Sequence, residues 1–111
     1  MIVDDSALIR AIIKEHVRNF MNNQEIYECS DGHEAIDAYR RLHPEWVLMD
    51  IKMPRMDGLS AMKSIREQFP CARIIIVTNF DDPYLREAAQ KSGATGYVLK
   101  ERLFELQELM A

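Results

Sequence analysis

Short apolar runs rich in β-branched residues alternate along this chain with segments of helical spacing, and this alternation limits the available folds most strongly. Several runs are apolar at successive positions, which indicates strands that are covered on both faces. A repeating order of strand and helix predicts a parallel sheet with helices on both sides. The five predicted strands comprise residues 2–3, 25–29, 46–49, 73–77 and 96–99.

Between these strands, apolar residues recur three or four positions apart, as they do on one face of a helix. Pro44 and Pro70 follow the second and third segments, where a helix is expected to end, and Gly93 has the position of a C-terminal cap after the fourth. The sequence therefore predicts five helices. Their apolar faces are formed by Ile9, Ile12, Ile13, Val17 and Phe20; Ala35, Tyr39 and Leu42; Leu59, Met62, Ile65 and Phe69; Leu85, Ala88 and Ala89; and Leu103, Leu106, Leu109 and Met110.

The length of 111 residues suits one domain, and we expect residues 1–111 to form it. The net charge of −4 gives no electrostatic footprint for direct binding of nucleic acid. No apolar run is long enough to cross a membrane, and Cys29 and Cys71 form neither a metal-ligand spacing nor a disulfide framework. We expect a cytoplasmic protein that does not contact membranes. Few residues precede Asp4, so the first strand is expected to be truncated and the chain to be part of a longer one.

Polar residues stand directly after four of the five predicted strands. Asp4 and Asp5 follow the first strand, Asp50 the third, Thr78 the fourth and Lys100 the fifth. Ligands of doubly wound sheets bind beyond the carboxyl ends of the strands, so these side chains are expected to meet at one rim. Each residue alone has a common structural role in a turn or a helix cap, but their joint placement predicts a site.

The predicted rim carries three carboxylates, which repel one another unless positive charge lies nearby. Lys100 supplies one such charge, and a divalent cation is the other candidate. Because no His or Cys joins the set, its oxygen ligands favour Mg²⁺ over zinc. Asp50 follows a buried strand and is the candidate nucleophile toward phosphorus. Lys100 and Mg²⁺ would neutralise the charge that develops on the phosphoryl oxygens, and Thr78 would donate a hydrogen bond to them.

Three stretches of the sequence resemble the receiver domain of bacterial two-component response regulators, and the resemblance extends from Ile2 to about Phe104. It implies a flavodoxin-like, doubly wound α/β fold with a five-stranded parallel sheet of order 2-1-3-4-5 and five helices. Glu101 stands after Lys100, where many members have proline, and this form is more similar to the subgroup with a helix-turn-helix DNA-binding output domain. The three stretches are VDDS at 3–6, MDIKMPRMDGL at 49–59 and GATGYVLK at 93–100.

The resemblance also implies which residues hold the phosphoryl group and the metal. Asp50 would be the phosphoacceptor. Asp5 would bind Mg²⁺ directly and Asp4 through water, and Asp50 would complete the carboxylate ligands. The backbone carbonyl of Lys52 would supply a further ligand.

A second set of implied roles concerns the response to phosphorylation. Thr78 would be the switch hydroxyl and Lys100 would contact the phosphoryl group. Tyr97 would be the aromatic switch, swinging inward when Thr78 moves toward the phosphate. Asn79 stands where a small residue is usual, and its larger amide is expected to narrow access to the phosphoryl site.

The function implied by the resemblance is two-component signalling, in which a sensor histidine kinase donates a phosphoryl group to Asp50. The surface of the fourth helix, fifth strand and fifth helix would then change, to control homodimerisation or DNA binding through an output domain outside this sequence. Such a chain catalyses its own phosphorylation but is not an enzyme in the usual sense.

Two alternatives stay open. One is a phosphorylation-independent interaction module of the same fold, which would tolerate Asp50→Ala. The other is a phosphatase with an aspartyl nucleophile. Those enzymes normally carry a second acid two residues after the nucleophile, where this chain has Lys52.

Overall fold

A computed structural model of the chain describes residues 1–21 and 25–111. Within these residues the chain forms one five-stranded parallel sheet with strand order 2-1-3-4-5, which confirms the predicted fold class. The strands are β1 (Ile2–Val3), β2 (Glu28–Cys29), β3 (Val47–Met49), β4 (Ile74–Thr78) and β5 (Gly96–Leu99). The helices are α1 (Ala7–Arg18), α2 (Gly32–Leu42), α3 (Gly58–Gln68), α4 (Pro83–Lys91) and α5 (Glu105–Leu109), with a 3-10 helix at Lys100–Arg102.

The second strand is shorter than its sequence pattern predicts. The sequence predicted a strand of five residues at 25–29, whereas β2 contains Glu28 and Cys29 alone. This edge strand pairs with β1, whose two residues provide partners for Glu28 and Cys29 and no more. The Tyr27 carbonyl oxygen still accepts a hydrogen bond of 2.8 Å from the Ile2 amide. The length of β2 is therefore set by its neighbour.

Two helical segments, the first and the last, also differ from what their apolar spacing predicts. Ile12 was expected on the apolar face of α1 but is 41% exposed, because it lies about 100° around the helix from the stripe that carries Ile13 and Val17. The last apolar segment begins as the 3-10 helix and continues as the five-residue α5. Gly93 follows α4 with a φ of +92°, as its predicted capping position requires. No helix among the described residues is long and apolar enough to span a bilayer.

The core consists of two layers, one on each face of the sheet. Successive residues of a strand point to opposite faces, so Ile74 and Ile76 pack with α2 and α3, whereas Ile75 and Val77 pack with α1 and α5. All four side chains are at most 1% exposed. Burial on both faces explains why the central strands are continuously apolar. It also leaves the strand ends as the place where polar side chains can gather.

Candidate functional site

The structure brings three carboxylates together at the carboxyl edge of the sheet. Asp4 follows β1 and Asp50 follows β3, and these strands are neighbours with Val3 opposite Met49. One carboxylate oxygen from each of Asp4, Asp5 and Asp50 lies within 4.8 Å of the others. Asp4 is 1% exposed and Asp50 is 6% exposed, whereas Asp5 is open to solvent. The cluster therefore consists of two buried acids and a third acid that is exposed to solvent.

Lys100 joins this cluster from the far side of β4. Its Nζ lies 2.8 Å from Asp4 Oδ2 and 3.3 Å from Asp50 Oδ2. The lysine side chain is 11% exposed, so both ion pairs are largely shielded from water. One ammonium therefore bridges the two buried carboxylates.

Local hydrogen bonds orient the other oxygen of each buried acid. Asp4 Oδ1 accepts a bond of 2.9 Å from the Ser6 amide, and Asp50 Oδ1 accepts one of 2.9 Å from the Ile51 amide. Ser6 itself caps α1 through Oγ, so neither aspartate is needed for that cap. The Oδ2 atoms are consequently left facing Lys100.

An arginine that sequence analysis did not single out supports the end of the first strand. Arg10 Nη1 donates a hydrogen bond of 2.6 Å to the Asp4 carbonyl oxygen, while its Nε contacts Glu28 Oε1 at 3.1 Å. A signal was available, because Arg10 lies one helical turn after the cap residue Ser6. It ties the Asp4 backbone to the edge strand.

Burial changes the acidity of the central carboxyl group. The pKa of Asp50 is raised from 3.8 to about 6, first because burial disfavours the charged form and then because Asp4 is negative. Lys100 and the Ile51 amide oppose this rise without cancelling it. Burial lowers the pKa of Lys100, but its contacts with Asp4 and Asp50 outweigh that effect and the net shift is upward. Lys100 is therefore charged at neutral pH, and the Asp50 carboxyl group loses its proton at a higher pH than an ordinary aspartate does.

We expect Asp50→Asn to stabilise the metal-free domain at pH 8. A carboxyl group whose pKa is higher in the folded than in the unfolded state loses folding free energy as the pH rises from about 4 to 6. Removing that group should raise the free energy of unfolding by about 1–3 kcal/mol at pH 8 and much less near pH 4. Urea denaturation with EDTA at both pH values measures this. Equal free energies of unfolding for the native chain and Asp50→Asn at pH 8 would contradict the raised pKa of Asp50.

The predicted switch residues are connected through one backbone unit. Thr78 ends β4 and is fully buried, and its Oγ1 accepts a hydrogen bond of 3.2 Å from the Phe80 amide. The Tyr97 hydroxyl donates a bond of 2.6 Å to the Phe80 carbonyl oxygen. The Tyr97 ring is half-buried, with the Arg86 guanidinium 4.5 Å from its centroid. Phe80 thus links Thr78 to Tyr97, which sequence analysis did not anticipate.

Two further predicted positions, Lys52 and Asn79, lie in the loops that follow β3 and β4. Lys52 is exposed in the loop after β3, and its Nζ lies 4.6 Å from the centroid of the Phe80 ring. This contact joins the loop after β3 to the loop after β4. Asn79 is exposed in the second of these loops.

A glycine holds the end of β3 close to the start of α3. The Gly58 amide donates a hydrogen bond of 2.7 Å to the Ile51 carbonyl oxygen. A Cβ atom at Gly58 would overlap the Asp50 carbonyl oxygen and lie 2.8 Å from the Asp50 carbonyl carbon. Glycine is therefore required here for close backbone approach.

The donor set fits a hard divalent cation. All three acids offer oxygen, and among the described residues no His or Cys belongs to the cluster. Asp4 Oδ2 is buried and, apart from its ion-pair contact with Lys100, has no hydrogen bond of acceptable geometry within the described chain. An oxygen-only set of few carboxylates beside solvent suits Mg²⁺, which retains several of its waters.

Together, the sheet order and the acid–lysine cluster define a flavodoxin-like α/β domain with an acidic cluster at its carboxyl edge that could hold a metal ion. The profile of the response regulator receiver domain matches residues 1–111, and the chain belongs to that family. It is accordingly a signalling module and not a conventional enzyme.

Individual relatives agree with this classification. The uncharacterized transcriptional regulatory protein YxjL of Bacillus subtilis is 36% identical over 106 residues, covering 94% of this chain and 48% of that protein. A LuxR-family DNA-binding response regulator from Staphylococcus aureus superposes with a TM-score of 0.89 at 30% identity, covering 98% of this chain and 92% of that structure. The REC domain of RcsB from Salmonella enterica serovar Typhimurium, solved with phosphomimetic BeF3−, gives 0.81 at 25% identity, covering 90% and 75%. The chain spans about half the length of the transcriptional regulators it matches.

Proposed function

We propose that this domain accepts a phosphoryl group from the phosphohistidine of a sensor kinase onto Asp50, with Mg²⁺ as cofactor. One observation carries the proposal: a buried carboxylate at the end of a central strand lies within 3.3 Å of a buried ammonium and beside two further acids. A structural ion pair would need one acid for one lysine. The excess of buried negative charge is explained by a cation that joins the site.

In the proposed transfer, an oxygen of the Asp50 carboxylate attacks phosphorus, and the bond from phosphorus to the histidine nitrogen of the donor breaks. Lys100 lies on the Oδ2 side of Asp50 and would neutralise the oxygens of the incoming group. The Thr78 hydroxyl would donate a hydrogen bond to one of those oxygens. The Ile51 amide keeps Asp50 Oδ1 oriented throughout.

We assign the metal to Asp5, Asp50 and the Lys52 carbonyl, with Asp4 contributing through water. When bound, Mg²⁺ would supply positive charge that offsets the phosphoryl oxygens and the three acids. Asp5 is the solvent-exposed member, so it is suited to bind an ion that keeps several waters. Support for a phosphorylated state comes from the RcsB domain, which was solved with a phosphomimetic.

The proposed output passes through Thr78 and Tyr97 to the surface of α4, β5 and α5. Movement of Thr78 toward the phosphate would change its bond with the Phe80 amide, and the carbonyl of the same residue holds the Tyr97 hydroxyl. Residues 1–111 would form one receiver domain of a longer cytoplasmic regulator. Its surface would control homodimerisation or a DNA-binding output domain, as the similarity to LuxR-family regulators suggests.

The direct test is intact-mass analysis after incubation with acetyl phosphate and Mg²⁺. We expect a gain of one phosphoryl group in the native chain, and none in Asp50→Asn or in the presence of EDTA. Asp57→Asn is the matched control, because Asp57 is an exposed acid that caps α3 and lies outside the cluster. A folded native sample that gains no phosphoryl group would favour a phosphorylation-independent interaction module.

A further inference from the structure

The loop after β3, residues 51–57, is attached to the start of α2 by a charged pair. Arg55 Nη2 donates a hydrogen bond to Asp31 Oδ2, and the Asp31 side chain is only 3% exposed. Asp31 Oδ1 meanwhile caps α2 by accepting a bond of 2.9 Å from the Glu34 amide. Both carboxylate oxygens of this buried acid are therefore engaged, one by a helix and one by the loop.

A second contact joins the backbone of this loop to the backbone at the start of α2. The Gly32 amide donates a hydrogen bond of 3.3 Å to the Met56 carbonyl oxygen. A Cβ atom at Gly32 would lie 2.8 Å from that same oxygen. Two successive loop residues thus contact the start of α2: Arg55 contacts the Asp31 side chain, and Met56 accepts the hydrogen bond from the Gly32 amide.

Arg55 adopts an unfavourable backbone conformation at this point. Its φ is +67°, and the Met56 amide donates a hydrogen bond of 2.8 Å to the Pro54 carbonyl oxygen across it. A turn closed over three residues with a positive central φ is a rare, strained γ-turn. A residue with a Cβ atom persists in such a conformation only when its surroundings impose it. Here the imposing contacts are that of the Arg55 side chain with Asp31 and that of the Met56 carbonyl oxygen with the Gly32 amide.

The same loop carries Lys52, the residue whose carbonyl we assign to the metal. The Gly58 amide closes the loop by bonding to the Ile51 carbonyl oxygen at 2.7 Å, so the segment between them has little freedom once Arg55 is held. We propose that Arg55 is a positioning residue for Mg²⁺, which holds the loop after β3 against Asp31 and so presets the Lys52 carbonyl for the ion. This inference rests on the proposed function.

The ion pair between Arg55 and Asp31 is expected to contribute little to the stability of the fold. The Arg55 side chain is 69% exposed, and ion pairs with an exposed partner add little to folding. Residues that orient the ligands of a metal commonly change metal affinity tenfold or more when replaced. A partly exposed pair belongs at the low end of that range.

The test is the Mg²⁺ dissociation constant, measured by isothermal titration calorimetry, for the native chain, Arg55→Ala and Arg55→Gly. We expect both variants to bind Mg²⁺ roughly tenfold more weakly. Arg55→Gly should also unfold at a higher temperature than Arg55→Ala in EDTA, because glycine accepts the positive φ. Arg73→Ala is the matched control, since it removes an arginine paired with Glu45 at 3.0 Å at the opposite edge of the sheet.

The outcomes separate this inference from the proposed function. Weaker Mg²⁺ binding by Arg55→Gly without loss of thermal stability would support positioning, because a merely structural role would not produce that combination. Binding within twofold of the native value in both variants would overturn the inference, while phosphorylation of Asp50 in the native chain would still support the function. A native chain that neither binds Mg²⁺ nor gains a phosphoryl group would overturn both.

Discussion

Replacing Lys100 with methionine should lower the free energy of unfolding by about 3–5 kcal/mol at pH 8 in EDTA. The side chain is 11% exposed and its ammonium contacts two buried carboxylates, at 2.8 Å on Asp4 and 3.3 Å on Asp50. Without it, the negative charges of two buried carboxylates, Asp4 and Asp50, lose the ammonium that neutralises them. Urea denaturation measures the loss, which should shrink at pH 5, where Asp50 with a pKa of about 6 is mostly protonated.

Two comparisons isolate the buried charge as the cause. Lys91→Met removes a lysine that is 75% exposed and paired with Glu87, and it should change stability by less than about 0.5 kcal/mol. The double variant of Lys100→Met with Asp50→Asn should recover part of the loss, because one of the uncompensated charges is gone. A Lys100→Met variant as stable as Lys91→Met would show that the ammonium does not compensate the acids.

Gly58→Ala should be the most damaging replacement by a single methyl group. The added carbon would overlap the Asp50 carbonyl oxygen and lie 2.9 Å from Met49 Cγ, and a backbone atom cannot move aside as a side chain can. We expect a loss of about 3 kcal/mol or more of unfolding free energy. Displacing Asp50 by about 1 Å should also slow phosphorylation by roughly 100-fold. Thermal unfolding and time-resolved intact mass measure the two effects.

Gly96→Ala provides the matched control for this substitution. The nearest atom to its added carbon is Leu109 Cδ1 at 2.9 Å, the end of a flexible side chain that can rotate away. Gly96→Ala should therefore lower the free energy of unfolding by no more than about 1 kcal/mol. If both glycine variants behaved alike, the close approach between Gly58 and Asp50 would have no special importance.

The sheet and its acidic rim were predictable because each depends on local chemistry repeated along the chain. The continuous apolar runs at β3 and β4 reflect burial on both faces, and polar residues can follow such strands only at their ends. Asp4, Asp50 and Lys100 therefore had one available edge on which to meet. The structure places them there, with the ammonium between the two acids.

Most of the features that sequence analysis missed depend on contacts between different elements of the fold. The length of β2 follows from the two residues of β1, and no pattern within 25–29 contains that information. The bond from Arg10 to the Asp4 carbonyl and the contact between Arg55 and Asp31 both join a side chain to a segment elsewhere in the fold. Ile12 was misjudged because spacing alone does not fix the centre of an apolar stripe.

The link between Thr78 and Tyr97 has a consequence for how this protein can vary. Both hydrogen bonds at Phe80 use main-chain atoms, its amide toward Thr78 and its carbonyl toward Tyr97. A change of side chain at this position therefore leaves the connection intact, provided that the new residue retains its amide hydrogen. The ring over Lys52 can be exchanged for another group while both hydrogen bonds between Phe80 and its partners are retained. Substitution of the Phe80 side chain can thus change the contact with Lys52 separately from the hydrogen bonds that join Thr78 and Tyr97.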